Sequence, residues 1–468
     1  MCFLEIRRLP PASSSHETAY PYLLEAFRMF DRIQIRSSVT RRVMFAALSI
    51  FAAAYASTSQ AHDRCRGQQS QGAASLSDPR YSELQQAVDT YRAEQQATDG
   101  FSGVSVHVSL SSKGPTFDIA SGSTSFQDGK PICPDTLFEI GSITKSFTAV
   151  LILRLEAAGL LSIHDTLGQW LPQYPAWSSI TIQQLLNMTA PSTTDYLFNT
   201  TFENDVVANI HRTFSEANLV GFVYPGTSGP MPPWQYSNTN YILAAMIITK
   251  ATGLSYAEAL SRMLFEPLQL HETYYQPRVP PDRVLDAMAS GYNEYSYCET
   301  FANIPPPCAQ YPLDDLLGQD MKTTNLSAYG AAGGIVASLP DLTRWVRALF
   351  SDTLLPPRQK TELFSLVSRA SGLPIPATSP ADPSGFSLGI VQAWLPLTAT
   401  PLWNYAGSTF GYLVFWARRP GDDLIVTIAQ NSATAEPLIV SLYLTVLGIF
   451  EPQSIVTPGA AAPPIPSD

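Results

Sequence analysis

Charge is scarce in this 468-residue chain: 14% of its side chains are charged, and 28 basic residues face 39 acidic ones, leaving a formal charge of −11. A nucleic-acid binder needs a basic face to neutralise phosphates, so that class is excluded. The uncharged apolar run from Val43 to Ala56 is about 14 residues long, short of the roughly 20 that a membrane-spanning helix needs. Histidine is rare, six in all, and none stands in a His-Glu-x-x-His pair. There is no Gly-x-Ser-x-Gly elbow, no Gly-rich phosphate loop and no Cys-x-x-Cys, so neither cofactor nor metal is expected. His107 is expected on the polar face of a strand and His164 on a loop, both as ordinary surface residues.

What the apolar run does offer is a secretory signal: Arg41 and Arg42 before it, small residues after it. Cleavage is expected at Ser59-Gln60-Ala61, with Ala54-Tyr55-Ala56 as second choice. Residues 1–61 therefore read as leader and signal peptide, and the mature protein as periplasmic or secreted, with no membrane span. It keeps Cys65, Cys133, Cys298 and Cys308. In an oxidising compartment these allow two disulfides, most simply Cys298 with Cys308 across a short loop; four buried thiols are the other reading.

Gln, Ser and Gly dominate 62–77, and 62–81 reads as a linker. Asp78-Pro79 marks a helix start, followed by Leu84, Ala87, Val88 and Tyr91 at helical spacing. Val104, Val106, Val108 and Leu110 alternate with Ser105, His107 and Ser109 as a half-buried strand, and a second strand follows around Phe117 and Ile119. At the far end Phe386 to Leu395, Leu402 to Ala406, Tyr412 to Arg418 and Leu424 to Ala429 read as strands, with a hairpin turn at Pro420 to Asp423. A helix from about Glu436 to Phe450 comes next, then a flexible tail, 451–468. Between the two ends, Thr144 to Ala158, Ile182 to Met188, Tyr241 to Thr252 and Leu339 to Phe350 carry helical patterns. The fold expected is α/β (α+β): one antiparallel sheet built from both chain ends and flanked by helices. A mainly helical subdomain, about 143–385, is inserted into a single domain of 82–450.

Lysine is scarce too. Of Lys113, Lys130, Lys145, Lys250, Lys322 and Lys360, only Lys145 has a serine three positions earlier, in Phe138-Glu139-Ile140-Gly141-Ser142-Ile143-Thr144-Lys145. Residues three apart share a helix face, with Cβ atoms about 5–6 Å apart, so the amine can reach the hydroxyl. A serine is a weak nucleophile until a neighbour takes its proton. An ordinary lysine, pKa about 10.4, is protonated at neutral pH. Burial disfavours that charge and turns the amine into a base. By itself, Ser-x-x-Lys is equally a serine that starts a helix and a lysine in its first turn. Two more motifs stand beyond it: Tyr236-Ser237-Asn238 ahead of another helix, and Tyr405-Ala406-Gly407-Ser408 on a late strand. Alone, Tyr236 would be a buried aromatic and Asn238 a helix cap.

In this order the three motifs resemble those of the serine β-lactamase and penicillin-binding-protein family, in particular its class C β-lactamase and DD-carboxypeptidase branch. That branch carries Ser-x-x-Lys, then Tyr-x-Asn, then a Lys/His-x-Gly strand motif, and similar stretches run from about Ser82 to Phe450. The resemblance implies that Ser142 is the acylated nucleophile and Lys145 its proton acceptor. It makes Tyr236 the proton shuttle to the leaving group and Asn238 the residue that holds substrate and Lys145. Gly407 would let the strand approach the substrate, and the N–H groups of Ser142 and Ser408 would form an oxyanion hole. Tyr405 stands where relatives place Lys or His beside a substrate carboxylate; its phenol offers a hydrogen bond but no fixed charge. Arg418 and Arg419 are cations on the same hairpin. Met188-Thr189-Ala190-Pro191 replaces a frequent His-Thr-Ser-Gly and is expected to alter the cleft lining.

The activity so implied is that of a secreted serine hydrolase working through an acyl-enzyme. Its small-molecule or peptide substrate would be a D-Ala-D-Ala-type peptide, a β-lactam or a related amide or ester, with peptidoglycan as the polymeric source. A small-ester esterase of the same fold is the alternative. From another class, the rival is a non-catalytic peptidoglycan-binding or interaction protein.

Overall fold

Asp78 caps the first helix, α1 (Pro79–Asp99): its carboxylate accepts from the Arg80 amide at 3.0 Å, and Pro79 takes a position where no N–H is needed. The computed structural model describes residues 74 and 77–450, apart from 128, 227–230, 295–311, 397, 420, 422 and 434–435. The expected leader and signal, residues 62–73, 75 and 76 of the linker, the Cys298–Cys308 pairing and the tail lie outside the described residues, while residues 79–81 of that linker form the first turn of α1. Cys133 is disulfide-bonded.

After α1 come the strands β1 (Gly103–Ser109), β2 (Thr116–Gly122) and β3 (Phe138–Glu139), then the helices α2 (Thr144–Ala157) and α3 (Asn238–Thr252). The short strands β4 (Thr273–Tyr275), β5 (Tyr292–Asn293) and β6 (Ile335–Ala337) precede α4 (Leu339–Phe350). Next are β7 (Leu366–Ser368), β8 (Pro374–Ile375), β9 (Ser384–Phe386) and β10 (Val391–Leu395). The chain continues through β11 (Thr400–Ser408), β12 (Leu413–Arg418), β13 (Ile425–Gln430), β14 (Ser432–Ala433) and α5 (Glu436–Ile449).

The main sheet has nine strands in the order β2-β1-β13-β12-β11-β10-β9-β7-β8. Its pairings are antiparallel, and the two chain ends close it: Val104 to Ser109 run against Gln430 to Ile425. One face, with Val104, Val106 and Val108, packs on Leu84 and Val88 of α1 and on Ile439, Leu442 and Val446 of α5. Beneath the other face lies a larger core that includes α2 and α3, each buried along most of its length.

Two expectations change here. The polar face of β1 is not wet, because α4 covers it: Thr343 bonds Thr427 at 3.0 Å and Arg347 reaches the Ser109 hydroxyl at 2.8 Å. His107 is accordingly buried, 4% exposed, with Nδ1 2.6 Å from Asp118 Oδ1 of β2. The run 386–395, expected as one strand, is the β9–β10 pair folded about Ser387 to Ile390, where Gly389 takes φ +81° and the Ser387 amide bonds the Ile390 carbonyl at 2.8 Å. With β7 and β8 this adds three short strands to the sheet inside a stretch expected to be mainly helical. Among the described residues, no helix is long and apolar enough to cross a membrane.

Candidate active site

Ser142 sits in a single 3-10 turn, Gly141–Ile143, that leads straight into α2. Gly141 takes φ +49°, and a Cβ there would lie 2.6 Å from the Ser408 amide nitrogen. A Cβ on Gly407 would lie 2.0 Å from the Ile140 carbonyl and 2.9 Å from the Ser142 nitrogen. The turn and the end of β11 therefore meet backbone to backbone, which only glycine permits. That contact brings the Ser142 and Ser408 amides into one small region beside the Ser142 hydroxyl.

One turn further along α2, Lys145 is fully buried, and its Nζ donates to Ser142 Oγ at 3.0 Å, Asn238 Oδ1 at 2.6 Å and the Ala332 carbonyl at 2.8 Å. Burial lowers its pKa to about 7, opposed by the charge of Asp195. Asn238, the first residue of α3, donates through Nδ2 to Asp195 Oδ2 at 2.7 Å. Asp195 is itself held by the Leu197 amide at 3.0 Å, and burial pushes its carboxyl above the usual range. Acid, amide and amine thus form one buried chain ending at the serine.

On the other side of Ser142 stands Tyr236, whose hydroxyl donates to Ser142 Oγ at 2.7 Å and lies 3.2 Å from the Tyr405 hydroxyl. Lys145 Nζ faces the Tyr236 ring at 4.8 Å from its centroid and the Tyr241 ring at 5.6 Å. Tyr405 is 5% exposed, and burial pushes its phenol well above the ordinary tyrosine range. Phe386 of β9 packs edge-on to both phenols, with centroids 6.3 Å from Tyr236 and 6.0 Å from Tyr405.

The family model described as Beta-lactamase matches residues 85–444. The chain belongs to the beta-lactamase family. Penicillin-binding protein 4* of Bacillus subtilis (strain 168) is 31% identical to it over 256 residues, 54% of this chain and 53% of that protein, so the match spans about half of the relative's length. Penicillin-binding protein 4 of Amycolatopsis lactamdurans is 24% identical over 75% of this chain and 86% of its own. Among solved structures, D-amino acid amidase from Ochrobactrum anthropi SV3 in complex with D-phenylalanine superposes with a TM-score of 0.62, covering 79% of this chain and 98% of its own at 23% identity. At that identity the likeness is one of fold.

Within this member of the beta-lactamase family, Ser142, Lys145, Tyr236, Asn238, Tyr405, Gly407 and Ser408 all converge. Three residues singled out in the sequence are engaged outside this cluster. Arg418 bonds Asp423 at 2.9 Å and lies over Phe350, while Arg419 reaches the Phe450 carbonyl at 3.4 Å, so both hairpin cations have partners outside the site. Met188 does not line the cleft: it is 1% exposed at φ +66°, its carbonyl accepting from Gln235 at 3.0 Å and its sulfur 3.3 Å from the Ser237 amide. It props up the loop that carries Tyr236.

The sequence reading missed Asp195, the Ala332 carbonyl, Phe386 and Arg369. Arg369 follows β7 and stacks on Trp234 at 4.6 Å, and Trp234 packs on Phe386 at 5.7 Å. Its charge is felt at Tyr405, where it opposes the effect of burial. Only Asp195 left a signal: a buried lysine needs an acid within reach, though sequence does not say which.

Proposed function

We propose that this chain is a periplasmic or secreted serine hydrolase acting through an acyl-enzyme on a D-Ala-D-Ala-type peptide, a β-lactam or a related amide or ester. The observation that carries this reading is the Ser142 hydroxyl held at once by Lys145 Nζ at 3.0 Å and the Tyr236 hydroxyl at 2.7 Å. With Lys145 neutral, its lone pair takes the serine proton as Oγ bonds to the substrate carbonyl carbon. The carbonyl electron pair moves to oxygen, which the Ser142 and Ser408 amides receive. Collapse breaks the bond to the leaving group, which takes the Tyr236 proton and departs, leaving a phenolate beside a protonated Lys145. Water then gives its proton to Tyr236 and its hydroxide to the acyl carbon, while Ser142 recovers its proton from Lys145.

Its relatives are named as penicillin-binding proteins, which supports a β-lactam as substrate, and a solved structure of the same fold is a D-amino acid amidase, which is in keeping with a D-configured amide. Arg369 at the rim supplies the positive charge that the start of the third motif lacks, and this favours a carboxylate-bearing substrate. A small-ester esterase is the second reading, favoured by the neutral Tyr405 itself, since an ester needs no cation.

Intact-mass measurement of the purified protein with a penicillin, a D-Ala-D-Ala peptide and a nitrophenyl ester tests these readings. An adduct on the first two that vanishes in Ser142→Ala supports the peptidase; an ester adduct alone selects the esterase. If folded protein takes no label from these or from a fluorophosphonate, it is a binding protein. Sequencing the amino terminus of exported protein tests cleavage after Ala61.

A further inference from the structure

Tyr405 opens the third motif on β11, and the structure gives its hydroxyl a definite partner. A phenol has one hydrogen to give. That of Tyr236 goes to Ser142 Oγ at 2.7 Å, so the 3.2 Å contact between the two phenols is filled by the hydrogen of Tyr405. Phe386 packs edge-on against both rings, at 90° and 73°, and holds the two hydroxyls side by side.

The two phenols differ in surroundings. Tyr405 is sealed in, and burial together with the Tyr236 and Tyr241 phenols keeps it protonated at any working pH, with Arg369 opposing. Tyr236 is half-buried and lies over the Lys145 amine. The titratable groups around the pair are Lys145 from α2, Tyr241 from α3, Arg369 after β7, Asp195 behind Asn238, and Tyr196 next to Asp195. Of the two, Tyr236 is the one placed to lose its proton and Tyr405 the one placed to keep it.

We propose that Tyr405 donates the hydrogen bond that sustains Tyr236 as a phenolate through the lifetime of the acyl-enzyme. This rests on the hydrolase reading above. A hydrogen bond to a charged acceptor is the strong kind, so its loss slows the step that needs the phenolate, hydrolysis of the acyl-enzyme, by about 10- to 100-fold. The formation of the adduct changes less. Without the donor the phenolate is more basic, so the ascending limb of the deacylation rate moves to higher pH.

The test is Tyr405→Phe, which keeps the ring and removes only the hydroxyl, with Tyr405→His as the variant that restores a donor. Adduct formation and decay are followed by intact mass from pH 5 to 10, with thermal denaturation to establish folding. Slow decay with an upshifted limb in Tyr405→Phe, recovered in Tyr405→His, is the expected result. An equal loss at every pH, or no change, overturns the role of Tyr405 while leaving the hydrolase reading intact. Failure of the unaltered protein to form any adduct overturns both.

Discussion

Asp195 governs how basic Lys145 is, although it does not touch it. Burial lowers the lysine to about 7 and the carboxylate pulls it back up. Adduct formation is therefore expected to rise through about pH 7 as the amine becomes neutral. In Asp195→Asn the counter-charge is gone, and that limb should move to lower pH; a limb that stays put would remove Asp195 from the site's electrostatics. Tyr236→Phe should lower turnover by about 10²- to 10⁴-fold, the range for a positioned acid–base group, with little effect on substrate binding. The Ser142 and Lys145 pair was legible because three-residue spacing on a helix is a geometric statement in itself. Asp195 was not: it pairs with Asn238 across 43 positions, and nothing in Thr194-Asp195-Tyr196 announces a partner.

At the scale of elements, the contact between the 141–143 turn and β11 is the least tolerant feature of the site. Gly407→Ala would place a Cβ 2.0 Å from the Ile140 carbonyl, and the two backbones must separate. We expect a loss of about 1–3 kcal/mol in stability, as for other overpacked positions, and adduct formation reduced at least tenfold because Ser408 moves away from Ser142. Denaturant unfolding and adduct kinetics on the same variant check both; full-rate labelling would mean that the strand is free to shift. Long periodic elements read well: α4 spans Leu339–Phe350 as its pattern implies. Strands of two or three residues such as β7, β8 and β9 have no period to read. The turn at 387–390 hides because its apolar residues continue those of the strands on either side.

The molecule as a whole buries charge-bearing groups that titrate in opposite senses. Glu139 of β3 is 1% exposed, and burial raises its carboxyl to about 8. The folded state then holds that proton more tightly than the unfolded chain does. Its contribution to stability is complete below about pH 4.5 and is lost as pH climbs towards 8. Lys145 acts in reverse, favouring the folded state as pH rises between about 7 and 10. Thermal midpoints measured against pH should fall between 4.5 and 8 in the unaltered protein and fall less in Glu139→Gln; parallel curves would show that Glu139 is not the group responsible. The overall architecture was legible from the strand patterns at the two termini, whereas burial on both faces of β1 was not, since it depends on where α4 lies down.

One consequence follows from the pairing of β1 with β13, where Thr427 bonds the His107 carbonyl across 320 positions. The sheet has no way to close until its last strands exist, and contacts so distant in sequence form late. A nascent chain emerging amino end first holds Ser142 and Lys145 long before Ser408 arrives to face them. Until the final strands emerge, the turn at 141–143 has no β11 backbone to meet, and the cluster around Ser142 stays incomplete.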